Sequence, residues 1–231
     1  MASRRALVVF SGGQDSTTCL YLAKEEHEFV SALTFAYAQR HAREIESAKK
    51  IASLANVEHE IVDLGPLFKG LSSLVDPSAP LPGASETTNH GAVQQLPSTF
   101  VPGRNMLFLS LAASRAYARD CSTLYIGVSQ EDFAGYPDCR EGFIKSMQQS
   151  IGAALDREIT IQAPLMHLSK KQTVELAQRL PGCLDALAYS TTCYNGSHPP
   201  CNTCNACLLR ARGFEQAGVI DPLLRSARQL C

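Results

Sequence analysis

Short apolar runs of strand length alternate with segments of helical periodicity along most of this chain of 231 residues. The first run, residues 6–10, reads ALVVF without a polar member, which predicts a strand buried on both faces. Such alternation predicts parallel β-α-β units with right-handed crossovers, gathered into one doubly wound sheet. We therefore predict an α/β fold with a five-stranded parallel sheet. The predicted strands cover residues 6–10, 30–35, 58–64, 124–128 and 159–162, and the predicted helices cover residues 17–24, 41–54, 105–119, 141–155 and 170–180.

The alternation weakens in one internal segment and changes character near the C-terminus. Prolines such as Pro77, Pro80 and Pro82 recur between residues 65 and 103, so this segment cannot be a regular strand or helix throughout. A loop of this length in a compact domain is typical of a lid, a binding loop or a disordered excursion. We expect residues 1–185 to form the α/β domain that carries this loop. Residues 186–231 are expected to form a C-terminal helical region.

Charge and hydropathy exclude several classes of protein. The 21 Lys and Arg residues against 22 Asp and Glu residues give a formal net charge of -1. This balance lacks the cationic excess that a phosphate backbone requires, so no direct nucleic-acid partner is expected. The apolar run after residues 1–5 is too short for a signal peptide or a membrane span. We therefore expect no membrane association, and a cytoplasmic, reducing location.

Four cysteines near the C-terminus have the spacing of a metal site. Cys193, Cys201, Cys204 and Cys207 form the pattern C-x7-C-x2-C-x2-C. Three thiols two residues apart can reach one small tetrahedral ion, and the upstream thiol completes its shell. A closed four-thiolate zinc site has no open coordination position, so we expect Zn²⁺ to hold structure rather than to act on a substrate. Two disulfides, or four unrelated buried thiols, are the alternatives.

The segment that joins the first predicted strand to the first helix has the composition of an anion-binding loop. Residues 11–16 read SGGQDS, and paired glycines let backbone N–H groups turn inward around an anion. Hydroxyl groups and the start of the helix add further donors. The loop lacks the lysine of a Walker A loop, so it suits the pyrophosphate of ATP better than transfer of the terminal phosphate. Asp15 could be the N-cap of the helix or an organiser of Mg²⁺ or phosphate.

The S-G-G-x-D-S pattern after a first strand resembles the ATP pyrophosphatases, which split ATP between its α- and β-phosphates to adenylate an oxygen. Further blocks narrow the resemblance to one family. They are QRH at residues 39–41, FVPGRN at 100–105, GYPDCR at 135–140, PLM at 164–166 and TCYNG at 192–196. Together they resemble the QueC family of the queuosine pathway from residue 8 to about residue 213. The resemblance implies an adenine nucleotide α-hydrolase-like fold with a C-terminal zinc-binding subdomain, and a homodimer.

The resemblance also implies a reaction. Its substrates would be 7-carboxy-7-deazaguanine, ammonia and ATP with Mg²⁺. The carboxylate would be adenylated, and ammonia would displace AMP to give an amide. The amide oxygen would be adenylated in turn, and elimination would leave the nitrile, 7-cyano-7-deazaguanine. Adenylation is needed because a bare carboxylate has no good leaving group, and charge released at the α-phosphate can be stabilised by the loop and Mg²⁺.

Residues that match the family blocks are the candidates for the site. We expect ATP to be bound by Phe10, Ser11, Gly12, Gly13, Gln14, Asp15, Ser16, Thr17, Phe35, Arg40 and Gly127. We expect the deazaguanine to be bound by Arg104, Asp132, Phe133, Tyr136, Asp138 and Arg140. The expected catalytic residues are Arg104, Asn105 and Asp132.

The physical reasons for these roles each have a structural alternative. The planar fork of Arg104 suits a carboxylate or an α-phosphate, but it could form a surface salt bridge. Asn105 could be catalytic or cap the next helix. Asp132 and Asp138 could accept the paired N–H donors of a guanine-like edge or stabilise a turn, because ligands bind open α/β sheets at the loops after the strands.

Aromatic residues and a cysteine in the same blocks also allow either a functional or a structural role. The ring of Phe133 or Tyr136 could stack on the heterocycle or belong to the core. Cys139 could be a thiolate nucleophile, but an adenylate needs no covalent enzyme intermediate, so a structural role is favoured.

Departures from the family blocks leave one alternative function open. Residues 35–41 read FAYAQRH where the family has F-D-Y-G-Q-R-H, and Glu131 and Ala134 change the expected acceptor pocket. Such changes would suit a QueC-like antiphage enzyme that joins the activated carboxylate to a protein amine and stops at the amide. Nitrile synthesis with ammonia is the favoured interpretation.

Overall fold

The computed structural model describes residues 4–37, 43–76, 78, 96–130 and 136–224. The predictions for Arg40, Asp132, Phe133 and the substitutions at Glu131 and Ala134 lie outside the described residues, as do residues 77 and 79–95 of the predicted loop.

One parallel sheet organises the fold. Its strands are β1 (Arg5–Val9), β2 (Phe29–Ala36), β3 (Glu58–Asp63), β4 (Thr123–Ile126) and β5 (Thr160–Gln162). They are arranged in the order β3-β2-β1-β4-β5, and every neighbouring pair is parallel. The predicted five-stranded parallel sheet is thereby confirmed. The chain order reverses between β1 and β4, and open α/β sheets bind ligands at such a switch point, beyond the carboxyl ends of the strands.

Seven α-helices connect and flank the strands in the described part of the chain. They are α1 (Gln14–Glu26), α2 (Arg43–Ala55), α3 (Arg104–Ala118), α4 (Glu141–Leu155), α5 (Lys170–Arg179), α6 (Cys183–Leu187) and α7 (Asn205–Gln216). The first five agree with the predicted helices to within a few residues. Among the described residues, no helix is both long enough and apolar enough to cross a bilayer.

Two apolar layers cover the two faces of the sheet. Strand side chains alternate between the faces, so Leu7 packs into the layer with Leu109 of α3, whereas Ala6 and Val8 pack into the layer with Leu20 of α1. All five side chains are essentially inaccessible to solvent. Helices on both faces make the sheet doubly wound, as predicted, and leave the ends of the strands as the open surface.

Helix α7 is fixed to the α/β layers by one buried ion pair and one close approach. Arg210 of α7 donates two hydrogen bonds to Asp221, at 2.7 and 2.8 Å, and both side chains are buried. A Cβ built on Gly213 would lie 2.8 Å from Cβ of Lys170, so α7 packs directly on the first residue of α5. Breaking a buried pair of this kind typically costs about 3–5 kcal/mol, because one charge stays buried without a partner.

Candidate functional site

The loop between β1 and α1 is closed by its own hydroxyl groups. Ser11 and Ser16 lie with their Oγ atoms 3.0 Å apart, and the Ser11 N–H donates to Ser16 Oγ at 3.2 Å. The Ser16 hydroxyl also donates to the Gly13 carbonyl at 3.3 Å, and the Gly13 N–H donates to Ser11 Oγ at 3.3 Å. The loop therefore holds its shape without help from a ligand.

Two glycines let other elements approach this loop closely. Gly12 has a φ of 78°, and a Cβ on it would lie 2.6 Å from the Ala48 backbone nitrogen in α2. A Cβ on Gly127, just after β4, would lie 2.9 Å from the Ser16 backbone nitrogen. Any side chain at either position would push α2 or the start of α1 away. Gly127, predicted as an ATP ligand, lines a cavity next to the loop that is described below. Because Gly127 has no side chain, β4 can lie directly against the loop.

The structure corrects the N-cap interpretation of Asp15. Gly13 is the N-cap of α1, and Asp15 lies in the first turn of the helix. Its two carboxylate oxygens instead accept hydrogen bonds from Lys170 Nζ, at 2.8 and 3.0 Å. Lys170 opens α5 directly after a capping box formed by Ser169 and Gln172. The S-x-x-Q pattern was readable in the sequence, but its proximity to the loop was not.

A smaller cavity of about 190 Å³ adjoins the loop on the side of α5 and α7. Gln14 and Lys170 line it together with Thr192, Tyr194 and Arg210. The Gln14 Nε2 atom is buried and has no hydrogen-bond partner among the described residues, and the same is true of Thr17 Oγ1. Buried donors without acceptors are costly, so an anionic oxygen in this cavity would satisfy Gln14.

A larger cavity of about 290 Å³ extends from the loop to the start of α3. Aromatic rings form much of its wall, and those of Phe35 and Phe108 stack with centroids 4.4 Å apart. Five residues, Ser11, Asp15, Ser16, Gly127 and Tyr194, line both cavities. The predicted residues that line the larger one are Phe10, Ser11, Asp15, Ser16, Phe35, Arg104, Asn105, Gly127 and Tyr136. Arg140 is exposed and lines neither cavity.

Asn105 is not the N-cap of α3, because Gly103 occupies that position with a φ of 74°. The Asn105 backbone N–H donates to a carboxylate oxygen of Asp138 at 3.3 Å, and its side-chain amide donates to the Asp138 carbonyl at 3.1 Å. Asp138 lies in a 3₁₀ turn, Pro137–Cys139. Its carboxylate therefore accepts from a backbone N–H group at the start of α3 that has no partner within the helix. The pair joins the FVPGRN and GYPDCR blocks.

Burial shifts the pKa values of Arg104 and Asp138, which both adjoin Asn105 at the start of α3. Burial raises the pKa of Asp138 above its ordinary value, although the Arg104 guanidinium and the Asn105 N–H oppose the shift. Burial alone would lower the pKa of Arg104, but the neighbouring Tyr37 and Asp138 raise it further than burial lowers it. Arg104 therefore keeps its positive charge at the cavity wall, as a group that binds an anion must.

Tyr136 and Cys139 are both held by packing and hydrogen bonds. The Tyr136 hydroxyl is hydrogen-bonded to Thr99, and its ring lies 5.6 Å from that of Phe100. Cys139 Sγ accepts from the Asn105 amide at 3.6 Å and is buried. These contacts support the structural interpretation of Cys139. They also fix the ring of Tyr136 in the wall of the larger cavity.

The four predicted metal ligands come together. Their sulfur atoms all lie within 4.8 Å of one another, and those of Cys201 and Cys207 are 3.9 Å apart. A tetrahedral ion with sulfur ligands at about 2.3 Å requires sulfur separations of about 3.8 Å, so the arrangement fits one ion. All four are free thiols, not disulfides. The hydrogen bond between Cys207 and Cys204 lowers the pKa of Cys204 and raises the pKa of Cys207, so the pair retains one proton that a bound metal would displace.

Comparison with known proteins identifies a family model and relatives that match most of this chain. A family model described as "Queuosine biosynthesis protein QueC" matches residues 5–218. The 7-cyano-7-deazaguanine synthase of Chromobacterium violaceum is 47% identical, over 96% of this chain and 94% of that protein. The 7-cyano-7-deazaguanine synthase of Gloeobacter violaceus is 46% identical, over 98% of both chains. Among solved structures, NMN synthetase from Francisella tularensis aligns with a TM-score of 0.48 and 14% identity over 95% of this chain and 89% of that one, too distant to bear on activity.

Proposed function

This chain belongs to the QueC family of queuosine biosynthesis proteins, and from that premise we propose that it makes 7-cyano-7-deazaguanine from 7-carboxy-7-deazaguanine, ammonia and ATP. One observation carries the proposal. A single cavity has the loop of Ser11 and Ser16 at one end and Arg104 and Asn105 at the other. ATP held by the loop and a carboxylate held by Arg104 would therefore meet inside it.

The phosphates of ATP are assigned to the loop and the smaller cavity. Backbone N–H groups at the start of α1, the unpartnered Gln14 amide and Lys170 are the donors available there. Mg²⁺ bound to ATP would neutralise part of the phosphate charge, and Asp15 is the carboxylate at the loop that fits it. The adenosine part would lie in the larger cavity between Phe10 and Phe35.

The deazaguanine is assigned to the end of the larger cavity near α3. Arg104 would pair with the carboxylate through its fork of N–H donors, and Tyr136 would stack on the flat ring. Asp138 lines neither cavity but lies beside Arg104 and accepts a hydrogen bond from the Asn105 N–H at this end, and we assign it to the ring N–H groups. Asp132 and Phe133 stay in the proposal as sequence predictions. Arg140 is left out because it is exposed away from the cavity.

The chemistry then follows from placing an oxygen in line with the α-phosphorus. A carboxylate oxygen forms a bond to that phosphorus, and the bond to pyrophosphate breaks. Ammonia adds to the activated carbon, loses a proton, and AMP leaves with the carboxylate oxygen. The oxygen of the resulting amide repeats the attack on a second ATP, and loss of AMP and protons leaves the nitrile. Arg104 and the donors of the loop act by holding both reactants and stabilising the charge that moves to the phosphates.

The four-cysteine cluster is assigned to zinc. Four thiolates at these separations match the Zn²⁺ preference for sulfur and for tetrahedral geometry. With all four positions taken by protein ligands, the ion would supply no catalytic step and would hold the segment from Cys193 to α7. A homodimer and a cytoplasmic location belong to the same proposal and rest on the family resemblance.

The product distinguishes this function from the alternative in which a protein amine accepts the activated carboxylate. The comparisons lend that alternative no support. Purified protein is incubated with 7-carboxy-7-deazaguanine, ATP and ammonium, and the products are identified by mass spectrometry. We expect the nitrile and AMP. An amide that accumulates without nitrile, or a protein adduct, would favour the conjugating enzyme instead.

A further inference from the structure

The peptide group between Gly12 and Gly13 is held by a residue far away in the sequence. The Thr191 N–H donates a hydrogen bond to the Gly12 carbonyl at 3.0 Å. In a trans peptide the C=O and N–H groups point in opposite directions. The Gly13 N–H therefore points away from Thr191, toward Ser11 Oγ at 3.3 Å, and both Ser11 and Gly13 line the smaller cavity.

The opposite side of the same glycine pair is closed by α2. A Cβ on Gly12 would lie 2.6 Å from the Ala48 nitrogen and 2.9 Å from the Glu44 carbonyl oxygen. A Cβ on Gly13 would lie 3.3 Å from the Thr191 carbonyl oxygen. The glycine pair is thus wedged between α2 and Thr191, and the hydrogen bond from Thr191 decides which way the peptide faces.

Thr191 is itself pinned on two sides. Its hydroxyl lies 2.6 Å from the Ser47 hydroxyl on α2. Its chain neighbours are held by Arg210, which donates to the hydroxyl groups of Ser190 at 2.7 Å and of Thr192 at 3.0 Å. The segment that leads into the first cysteine of the cluster therefore reaches the phosphate loop through fixed contacts.

We propose that Thr191 is a positioning residue for the phosphate loop. Its N–H keeps the Gly12 carbonyl turned away from the bound phosphates, so the Gly13 N–H stays turned toward them. A reversed peptide would present a carbonyl oxygen to the phosphates, and the two would repel each other. Ser47 acts through the Thr191 hydroxyl. This inference rests on the proposed function only in assuming that the loop binds the phosphates of ATP.

The test measures binding of inorganic pyrophosphate with Mg²⁺ by calorimetry, with adenosine as a probe that has no phosphates. Thr191→Val removes the hydroxyl and keeps the shape, and we expect it to weaken pyrophosphate binding by about three- to tenfold, as for loss of one partly buried hydrogen bond. Thr191→Ser keeps the hydroxyl and should bind within about twofold of the wild type on the same scale. Adenosine affinity should not change in either variant.

Ser47→Ala gives a second, independent measurement and guards against a folding defect in Thr191→Val. We expect the same selective loss, and no further loss when both substitutions are combined, because they remove one shared bond. Ser53→Ala, at an exposed position of the same helix, is the matched control and should bind as the wild type does. Unchanged pyrophosphate affinity in Ser47→Ala, or an equal loss of adenosine affinity, would overturn the proposal.

The binding test and the product assay fail separately. Pyrophosphate affinity is measured without deazaguanine or ammonia, so its outcome does not depend on which product the enzyme makes. Nitrile formation together with normal pyrophosphate binding by both variants would retain the function and remove the role of Thr191. Selective loss of pyrophosphate binding without nitrile formation would do the reverse.

Discussion

Lys170 and Asp15 form an ion pair at the phosphate loop, with Lys170 Nζ 2.8 and 3.0 Å from the two carboxylate oxygens of Asp15. The pair joins the first turns of α5 and α1, and both side chains are mostly buried. Without ATP, the two charges satisfy each other. Phosphate in the smaller cavity would give the ammonium group a stronger partner, and Mg²⁺ would do the same for the carboxylate.

Lys170→Met removes the cation that lines the smaller cavity. We expect the KM for ATP in AMP release to rise by about tenfold or more, the usual range for losing a hydrogen bond to a charged group. The free energy of unfolding should fall by about 1–3 kcal/mol, because the mostly buried Asp15 carboxylate loses its hydrogen-bond donor. Lys171→Met is the matched control, since Lys171 is exposed and forms an ion pair within its helix with Glu175 at 3.5 Å. Equal KM values for both variants would contradict the assignment.

Arg104→Gln removes the charge from the far end of the larger cavity while keeping a polar side chain. We expect kcat/KM for the deazaguanine to fall by about 100-fold, with a much smaller change in the KM for ATP. Steady-state kinetics with each substrate varied in turn separates the two effects. Arg115→Gln is the control on the same helix, where Arg115 forms a half-exposed pair with Glu60 at 3.1 Å. A larger effect on ATP than on the deazaguanine would place Arg104 at the nucleotide instead.

Cys204→Ser removes one ligand of the cluster. Wild-type protein should contain about one zinc ion per chain by elemental analysis, because the four sulfur atoms enclose a single tetrahedral position. The variant should lose the metal and unfold at a lower temperature, since metal affinity contributes directly to folding. Cys121→Ala changes a buried thiol outside the cluster and should retain the metal. A folded wild-type protein without bound metal would refute the zinc assignment.

His59 makes stability depend on pH. Burial lowers the pKa of His59 below its ordinary value of 6.5, and its Nε2 atom lies 2.7 Å from the Thr34 hydroxyl. His59 therefore takes up a proton near pH 6.5 in the unfolded chain but only at a lower pH in the folded chain. Its contribution to stability is complete above pH 6.5 and is lost as the pH falls below that value. We expect His59→Gln to show a shallower decline in denaturation midpoint between about pH 7 and 5 than the wild type.

The sequence predicted well the features that depend on residues close together in the chain. The apolar runs became strands because burial on both faces needs an unbroken run, and the thiol spacing brought the four sulfur atoms together. The corrections concern long-range contacts. Asp15 looked like a cap because its local context is a helix start, but its partner Lys170 is 155 positions away. Asn105 is satisfied by Asp138, 33 positions on, and no local pattern reports such a pair.

The residues that sequence reasoning missed share the same origin. Arg210 reaches Thr192 because α7 packs on α5, an approach that Gly213 permits, and Thr191 contacts Gly12 and Ser47 of α2. A glycine inside a helical pattern was the available signal, since it marks a close contact with another element. Its partner could not be named before the fold was known.

Oxygen transfer to AMP reports directly on adenylation of the substrate, because an adenylated oxygen stays in the AMP that leaves. The substrate is 7-carboxy-7-deazaguanine with both carboxylate oxygens labelled with ¹⁸O, and AMP is analysed by mass spectrometry after turnover with ATP and ammonium. We expect two AMP molecules for each nitrile, each with one ¹⁸O in its phosphate. Formation of ADP, or of AMP without the label, would contradict adenylation of the substrate.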